Sequence, residues 1–309
     1  MKLSRRGFLR VVGITGSTAL AAGAGRAAAS SGGTSIGAGG GESAMLVDTT
    51  LCAGCRGCEA ACAEANKLPA PSAEVDVLKS KRDTAPQAFT VVNGFAAAAD
   101  GEDRFVKRQC MHCVEPGCAS VCPVRALDKS PEGPVVYHGE RCMGCRYCMV
   151  ACPFSIPKYE YDSRVPLVRK CTFCAERQKD GKKPACAEVC PTGALTFGKR
   201  ATLLELAKTR IYKSPEKYVH RVYGEHEAGG TNWLYVSDVD FAQLDFAKVD
   251  DHSYPGKVQG ALGAPPFVMT LWPPLLMGMY AFSQRRKELA GRERPENDNP
   301  LANRSHDHE

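Results

Sequence analysis

The chain has 309 residues, of which 44% are apolar and 24% are charged. This composition is ordinary for a folded protein and excludes a disordered or collagen-like chain. Five positive charges of the formal net +6 lie in residues 1–29, which hold no acidic residue, so the remainder is nearly neutral. No basic cluster with interleaved aromatic residues is left to follow a phosphate backbone, and nucleic-acid binding is not expected. The unusual feature is the sixteen cysteines.

The N-terminus has the pattern of an export signal. Residues 4–9 (SRRGFL) contain a pair of arginines, residues 11–25 are weakly apolar, and three alanines end at Ala29. This pattern predicts a twin-arginine signal peptide over residues 1–29 and export to the periplasmic face of the bacterial inner membrane. A membrane anchor or a buried helix is the alternative, but the uncharged run is shorter than the roughly 20 residues needed to span a bilayer. Residues 30–43 are rich in glycine and serine and predict a flexible segment.

The cysteines fall into four groups of four, and none is left over. The first and third groups have the C-x2-C-x2-C-x3-C spacing of bacterial ferredoxins. In every group except the first, a proline directly follows the last cysteine. Thiolates at every third residue of a loop can surround one cubane cluster while the backbone amides point at it. The groups are Cys52, Cys55, Cys58, Cys62; Cys110, Cys113, Cys118, Cys122; Cys142, Cys145, Cys148, Cys152; and Cys171, Cys174, Cys186, Cys190.

Three other uses of cysteine fit this spacing less well. Disulfides suit an exported protein, but this regular spacing is an improbable disulfide framework. Structural zinc needs only isolated C-x2-C pairs, which are far less specific than four complete quartets. Haem attachment is excluded because no C-x2-C pair is followed by histidine. His112 lies between Cys110 and Cys113, but four thiolates already serve each cluster, so we expect it to pack or to form hydrogen bonds. The sequence therefore predicts four 4Fe-4S clusters.

The chain contains an internal repeat. Residues 121–127, 151–156 and 189–195 each deliver a cysteine and a proline and then turn toward a strand. Strands are predicted at residues 45–47 and 135–137. The second and third cysteine groups form one two-cluster module, which is inserted between the first and fourth groups of another. Residues 63–109 hold no further cluster motif and predict a surface elaboration available to a partner.

The remaining elements lie after residue 198. Thr202 precedes an apolar spacing at residues 203–207 that predicts a short helix, and Trp233–Val236 predicts a strand. Residues 258–284 carry no charge, and we predict a transmembrane anchor over residues 261–284, although four prolines would kink it. The alternative is an apolar arm lying on a partner. The cations at residues 285–287 predict a cytoplasmic C-terminus, with residues 285–309 forming a polar tail.

The motifs resemble one family. Residues 110–118 (CMHCVEPGC), 144–153 (GCRYCMVACP), 170–174 (KCTFC) and 184–194 (PACAEVCPTGA) are similar to the four-cluster subunits of membrane-bound oxidoreductases. This group includes the beta subunits of respiratory formate dehydrogenase and dimethyl sulfoxide reductase. The N-terminal signal, residues 223–225 and 229–231, the apolar segment and the His/Asp tail are most similar to the hydrogenase branch, the iron-sulfur subunits of periplasmic nickel-iron hydrogenases. One departure is Ala63, which stands where a proline usually follows the fourth cysteine.

The resemblance implies a fold and a ligand set. The fold class is α+β: two fused bacterial-ferredoxin-like modules over residues 44–200, an extension over 201–257 that packs back on them, and the C-terminal transmembrane helix. The fourth cysteine of each motif serves the partner cluster of its module. The implied sets are Cys52, Cys55, Cys58 with Cys190; Cys171, Cys174, Cys186 with Cys62; Cys110, Cys113, Cys118 with Cys152; and Cys142, Cys145, Cys148 with Cys122.

The expected function is electron transfer. The sequence has no phosphate loop, no dinucleotide fingerprint after a strand and no nucleophile constellation, so we expect no catalytic site of its own. The first hypothesis is a relay between the small and large subunits of a periplasmic hydrogenase and an integral membrane quinone-reactive subunit. The second is the beta subunit of a molybdopterin oxidoreductase such as formate dehydrogenase, with its molybdopterin catalytic subunit as the partner. A third, of another class, is a structural or assembly protein whose clusters only hold the fold.

Overall fold

A computed structural model describes residues 41–96 and 101–292 of the chain. The predicted signal peptide (1–29), most of the predicted flexible segment (30–43) and the end of the predicted polar tail (293–309) lie outside the described residues. Glu42 is buried and its carboxylate pairs with Lys129 Nζ at 2.8 Å, and Ser43 lies in a strand, so the prediction of a flexible segment is wrong for these two residues.

A three-stranded sheet brings together segments that are far apart in the chain. Strand β1 (Ser43–Asp48) lies in the middle, and its residues 44–47 are at most 1% exposed, as expected for a short apolar run covered on both faces. The strands on its two sides are β8 (Leu195–Lys199), which is antiparallel, and β9 (Trp233–Val236), which is parallel to it. The strands predicted at 45–47 and 233–236 are therefore confirmed.

Three small hairpins complete the strands of the described chain. They are β2 (Val91–Phe95) with β3 (Arg104–Arg108), β4 (Leu127–Lys129) with β5 (Val135–Tyr137), and β6 (Lys158–Tyr159) with β7 (Val168–Arg169). The strand predicted at 135–137 is confirmed. Its turn needs Gly133, which has a φ of +120° and whose missing Cβ leaves room for the Ser43 carbonyl; an added Cβ would come within 2.8 Å of that oxygen.

Short helices follow the cysteine loops. They are α1 (Gly57–Ala65), α2 (Gly117–Ser120), α3 (Tyr147–Val150), α4 (Ala175–Lys179) and α5 (Ala185–Glu188). A longer helix, α6 (Arg200–Lys213), buries Leu203 and Ala207. The helix predicted here is confirmed, but it begins before Thr202, which is therefore not its cap.

The segment between the first two cysteine groups is more than surface elaboration. Val92, Asn93 and Val106 of the β2–β3 hairpin are at most 1% exposed. Glu59 of α1 joins this hairpin to the cysteine loop: its carboxylate accepts hydrogen bonds from the Val92 amide (2.6 Å) and from Arg82 Nη2 (2.6 Å). The expectation of a surface elaboration was wrong for the hairpin, because its apolar residues and this buried carboxylate form part of the core.

The predicted C-terminal transmembrane helix is also wrong. Residues 254–292 form one helix, α7 (Tyr254–Arg292), yet no helix within the described ranges combines the length and apolar character that crossing a membrane requires. The absence of charge over residues 258–284 suggested an anchor, but four prolines and several glycines in this stretch lower its mean hydropathy. Apolar side chains of α7, including Met269, Met277 and Phe282, are exposed in the isolated chain. The predicted cytoplasmic C-terminus had rested on this anchor.

Candidate functional site

The sixteen cysteines lie at equivalent places in four loops. In each group the first two are on the loop and the third lies in a short helix: Cys58 in α1, Cys118 in α2, Cys148 in α3 and Cys186 in α5. All sixteen thiols are free, which excludes the disulfide alternative for this structure. The loops thus present four repeats of the same arrangement, as the sequence spacing predicted.

The backbone of every loop turns in the same way. The residue before the second cysteine has a left-handed conformation in all four groups: Gly54 (φ +66°), His112 (φ +47°), Gly144 (φ +73°) and Phe173 (φ +53°). A left-handed residue in a turn directs successive backbone N–H groups into a concavity, the arrangement that holds anions and many iron-sulfur sites. The loops therefore fit a negatively charged cluster.

Amide groups also point at individual sulfurs. The Ala126 amide donates to Cys122 Sγ at 3.1 Å, and the Phe173 amide donates to Cys171 Sγ at 3.3 Å. The Asn66 side chain lies 3.6 Å from Cys62 Sγ. Hydrogen bonds to sulfur stabilise the added negative charge of a ligated thiolate and so adjust the reduction potential of a cluster.

The cysteines come together across groups. One pocket is lined by Cys52, Cys55 and Cys58 of the first group and by Cys190 of the fourth, with apolar walls that include Val47. Burial raises the pKa of Cys52, and the neighbouring Cys190 and Cys55 raise it further. A cavity surrounded by four thiols is the space that a cubane cluster needs.

The other three neighbourhoods follow the same rule. Burial raises the pKa of Cys62 to about 11, with Cys186 and Cys174 adding to the shift, and Cys171 interacts in turn with Cys62. The pKa of Cys113 is raised by burial and by the neighbouring Cys152, Cys118 and Cys110. The pKa of Cys148 is raised to about 12 by burial and by the neighbouring Cys145, Cys142 and Cys122. These are the neighbourhoods of the implied crossed sets. The ligation itself stays a prediction.

Burial of these thiols bears on how they could be ionised. A thiol whose pKa is raised well above 9 does not stay ionised at neutral pH without a nearby positive charge. Metal ligation supplies that charge and releases the protons. The donor set of buried thiols, inward-facing amides and apolar walls therefore fits a 4Fe-4S cluster.

Electrostatic interactions between cysteines connect the four sets one after another in a single order. Cys58 of the first set interacts electrostatically with Cys186 of the next, Cys171 of that set with Cys110, and Cys118 of the third set with Cys148 of the last. The two exposed cysteines, Cys55 and Cys145, belong to the two sets at the ends of this order. The arrangement suits a relay with both ends near the surface.

Comparison with known proteins agrees with this donor set. Residues 102–200 match the family described as a 4Fe-4S dicluster domain. The hydrogenase-2 operon protein HybA of Escherichia coli O157:H7 is 39% identical over 69% of this chain and 75% of its own length. The chain belongs to the HybA-like family of ferredoxin-type iron-sulfur subunits. A protein of Nitratidesulfovibrio vulgaris is 47% identical over 95% of this chain and 80% of its own length.

The same family extends to formate dehydrogenases. The iron-sulfur subunit of the nitrate-inducible formate dehydrogenase of Escherichia coli K12 is 38% identical over 63% of this chain and 68% of its own length. The HybA-like chain is accordingly an iron-sulfur electron-transfer subunit that carries 4Fe-4S clusters, as the cysteine spacing predicted. Its sixteen cysteines are the predicted ligands of four clusters.

His112 packs in the core of the HybA-like chain. It is 1% exposed, its Nδ1 accepts a hydrogen bond from the Val135 amide at 2.9 Å, and its ring lies 5.0 Å from the ring of Phe173. Burial and the nearby Lys170 lower the pKa of His112 well below its ordinary value, so the ring is neutral at neutral pH. The contacts confirm the expectation of a packing and hydrogen-bonding role.

Three lysines near the cysteines were not identified from the sequence, of which Lys107 and Lys170 are buried and Lys129 is half-buried. Lys107, Lys129 and Lys170 are intermixed with the cysteine loops, and each interacts electrostatically with at least one cysteine thiol. Lys129 Nζ donates to Glu42 and to the Cys113 carbonyl, and Lys170 Nζ donates to the Val135 and Cys171 carbonyls. No local pattern marks a lysine for burial, because its surroundings are assembled from distant parts of the chain.

Proposed function

We propose that this HybA-like chain relays electrons between a periplasmic hydrogenase and a membrane quinone-reactive partner. The observation that carries the proposal is the single order of the four cysteine sets, with an exposed cysteine in the set at each end. When bound, the clusters supply a series of one-electron carriers. A chain with two accessible ends and no catalytic site of its own fits between an electron donor and an acceptor.

The protein's part in this relay is to hold and tune the carriers. Loops and short helices hold each set of thiols, and the third cysteine of each group lies in a helix. Amides that donate to Cys122 and Cys171, and lysines close to several of the thiols, stabilise negative charge at these sites. If the protein had only a structural or assembly role, its four cysteine sets would not need to lie in this order.

Two observations support the hydrogenase over the formate dehydrogenase assignment. The first is that the HybA relative is a hydrogenase-2 operon protein, and the match covers 75% of its length. The second is the predicted signal on this chain, because the resemblance implies that beta subunits of molybdopterin enzymes commonly travel with a signal-bearing catalytic partner. A molybdopterin partner is the second candidate, and the 38% identity to a formate dehydrogenase subunit supports it.

The same proposal includes a location. The arginine pair in residues 4–9 and the three alanines ending at Ala29 support export by the twin-arginine route, which carries proteins already folded around their cofactors. We propose that the chain works at the periplasmic face of the inner membrane, where it meets the hydrogenase.

A single ligand variant tests the relay. Replacing Cys145 with alanine removes a predicted ligand from an end set, so we expect hydrogen oxidation with an artificial dye to stay largely intact while hydrogen-dependent quinone reduction is abolished. Met143→Ala is the matched control: it alters the same loop at a side chain that is 65% exposed and keeps all four thiols. Quinone reduction that survives in the Cys145→Ala protein contradicts the relay. Loss of the dye reaction as well would indicate a role in assembling the enzyme.

A further inference from the structure

Lys107 is a buried cation at the centre of the cysteine sites. It lies in β3, is 3% exposed, and lines the cavity surrounded by Cys52, Cys55, Cys58 and Cys190. Surface strands usually turn lysine toward water, and full burial of an ammonium is costly unless it is compensated. What compensates Lys107 therefore indicates its role.

The contacts of Lys107 are neutral. Its Nζ donates to Gln109 Oε1 at 2.9 Å and lies 4.4 Å from the centre of the Trp233 ring. Gln109 is held in turn by its own hydrogen bond to the Tyr235 hydroxyl at 2.7 Å. None of the carboxylates within residues 41–96 and 101–292 forms an ion pair with this ammonium. The positive charge is positioned but not neutralised by its protein contacts.

The groups near Lys107 that would become negative on ligation are cysteine thiols of two neighbouring sets. Burial alone would lower the pKa of Lys107, but Cys186, Cys58, Cys171 and Cys62 raise it above its ordinary value. Cys58 belongs to the set with Cys52, Cys55 and Cys190, whereas the other three belong to the next set in the order. The interaction is reciprocal, because Lys107 lowers the pKa of Cys58, Cys62, Cys171 and Cys186.

We propose that Lys107 is a shared tuning residue that raises the reduction potentials of two adjacent clusters, those held by the Cys52 set and by the Cys171 set. One-electron reduction adds a negative charge to a cluster, and a fixed cation close by stabilises the reduced form more than the oxidised form. The inference rests on the crossed ligand sets and deepens the proposed relay: the fixed charge makes both of these sites easier to reduce without a proton being taken up.

The test is a redox titration of the purified, cluster-loaded chain with dithionite and mediators, followed by electron paramagnetic resonance. In Lys107→Met we expect two of the four potentials to fall, each by an amount equal to about a tenfold change in the ratio of reduced to oxidised cluster, about 59 mV for a one-electron couple. Lys107→Arg keeps the charge, and we expect its potentials to stay near those of the unaltered protein. Lys208→Gln, which removes a charge from a side chain that is 58% exposed, should shift none of them.

A second variant covers the case in which Lys107→Met does not retain its iron. Gln109→Glu keeps the lysine and the side-chain shape but places a carboxylate 2.9 Å from its ammonium. The potentials of the same two clusters should therefore fall more than those of the other two. Equal shifts of all four potentials, a shift of only one, or no shift in a variant with full iron content would each overturn the proposal. The titration uses no hydrogenase, so such a result would leave the proposed relay standing.

Discussion

The cysteine loop around Gly54 gives a sharp test of how the backbone forms a cluster site. Gly54 has a φ of +66°, and a Cβ at this position would lie 2.7 Å from Phe105 Cδ1 and 2.8 Å from two other atoms of the same ring. A left-handed residue with a side chain costs about 1–2 kcal/mol. Crowding a packed ring costs about 1–3 kcal/mol more. Gly54→Ala should therefore destabilise the folded protein by about 2–5 kcal/mol.

The matched control lies three residues away in the same loop. A Cβ on Gly57 would meet nothing closer than Cys55 Sγ at 3.8 Å and Val189 Cγ2 at 3.9 Å, and Gly57 is the first residue of α1, where alanine favours the helix. Gly57→Ala should be neutral or slightly stabilising.

The two variants are compared by guanidinium unfolding under anaerobic conditions, followed by the visible absorbance of the clusters, and by iron content after exposure to a chelator. We expect Gly54→Ala to lose cluster absorbance at a lower denaturant concentration and to lose iron from one site first. If the two variants unfold together, the left-handed turn and its contact with Phe105 do not shape the site.

Three further predictions concern the core, the cofactor content and the export signal. Glu59→Ala should lower the free energy of unfolding by about 3–5 kcal/mol because it leaves Arg82 and Arg56 without their carboxylate partner, and amide exchange in residues 91–95 should become faster. Glu64→Ala, at an exposed position of the same helix, should change little, and equal exchange in both variants would contradict the anchoring role. Anaerobically purified protein should hold about sixteen irons and sixteen acid-labile sulfides per chain, whereas zinc, or half that iron after full reconstitution, would refute four clusters. Replacing Arg5 and Arg6 with lysines should stop export, as judged by periplasmic fractionation, and normal export would mean that the chain travels on another subunit's signal.

The sequence was most informative where chemistry constrains neighbouring residues. Cluster ligation requires a fixed local spacing of cysteines, so the four groups could be recognised without a structure. The strands at residues 45–47, 135–137 and 233–236 were predicted for a similar reason, since a short apolar run bounded by turn residues is typical of a buried strand.

Features that depend on distant residues could not be predicted. Bulky residues rarely adopt a left-handed conformation, so nothing marked His112 and Phe173 as equivalents of the two loop glycines. The burial of Lys107 depends on strands and loops from several parts of the chain. The transmembrane prediction failed for another reason: lack of charge over residues 258–284 was weighted above the prolines and glycines that make the stretch less apolar.

The most direct test of the proposed relay compares electron donors in a strain that lacks this chain. Membranes from the deletion strain and from its complemented form are supplied with hydrogen or with formate, and reduction of the quinone pool is measured. We predict loss of hydrogen-dependent quinone reduction with formate-dependent reduction unchanged, and recovery on complementation. Loss of the formate-dependent reaction with the hydrogen-dependent reaction intact would contradict the hydrogenase assignment and favour a molybdopterin partner.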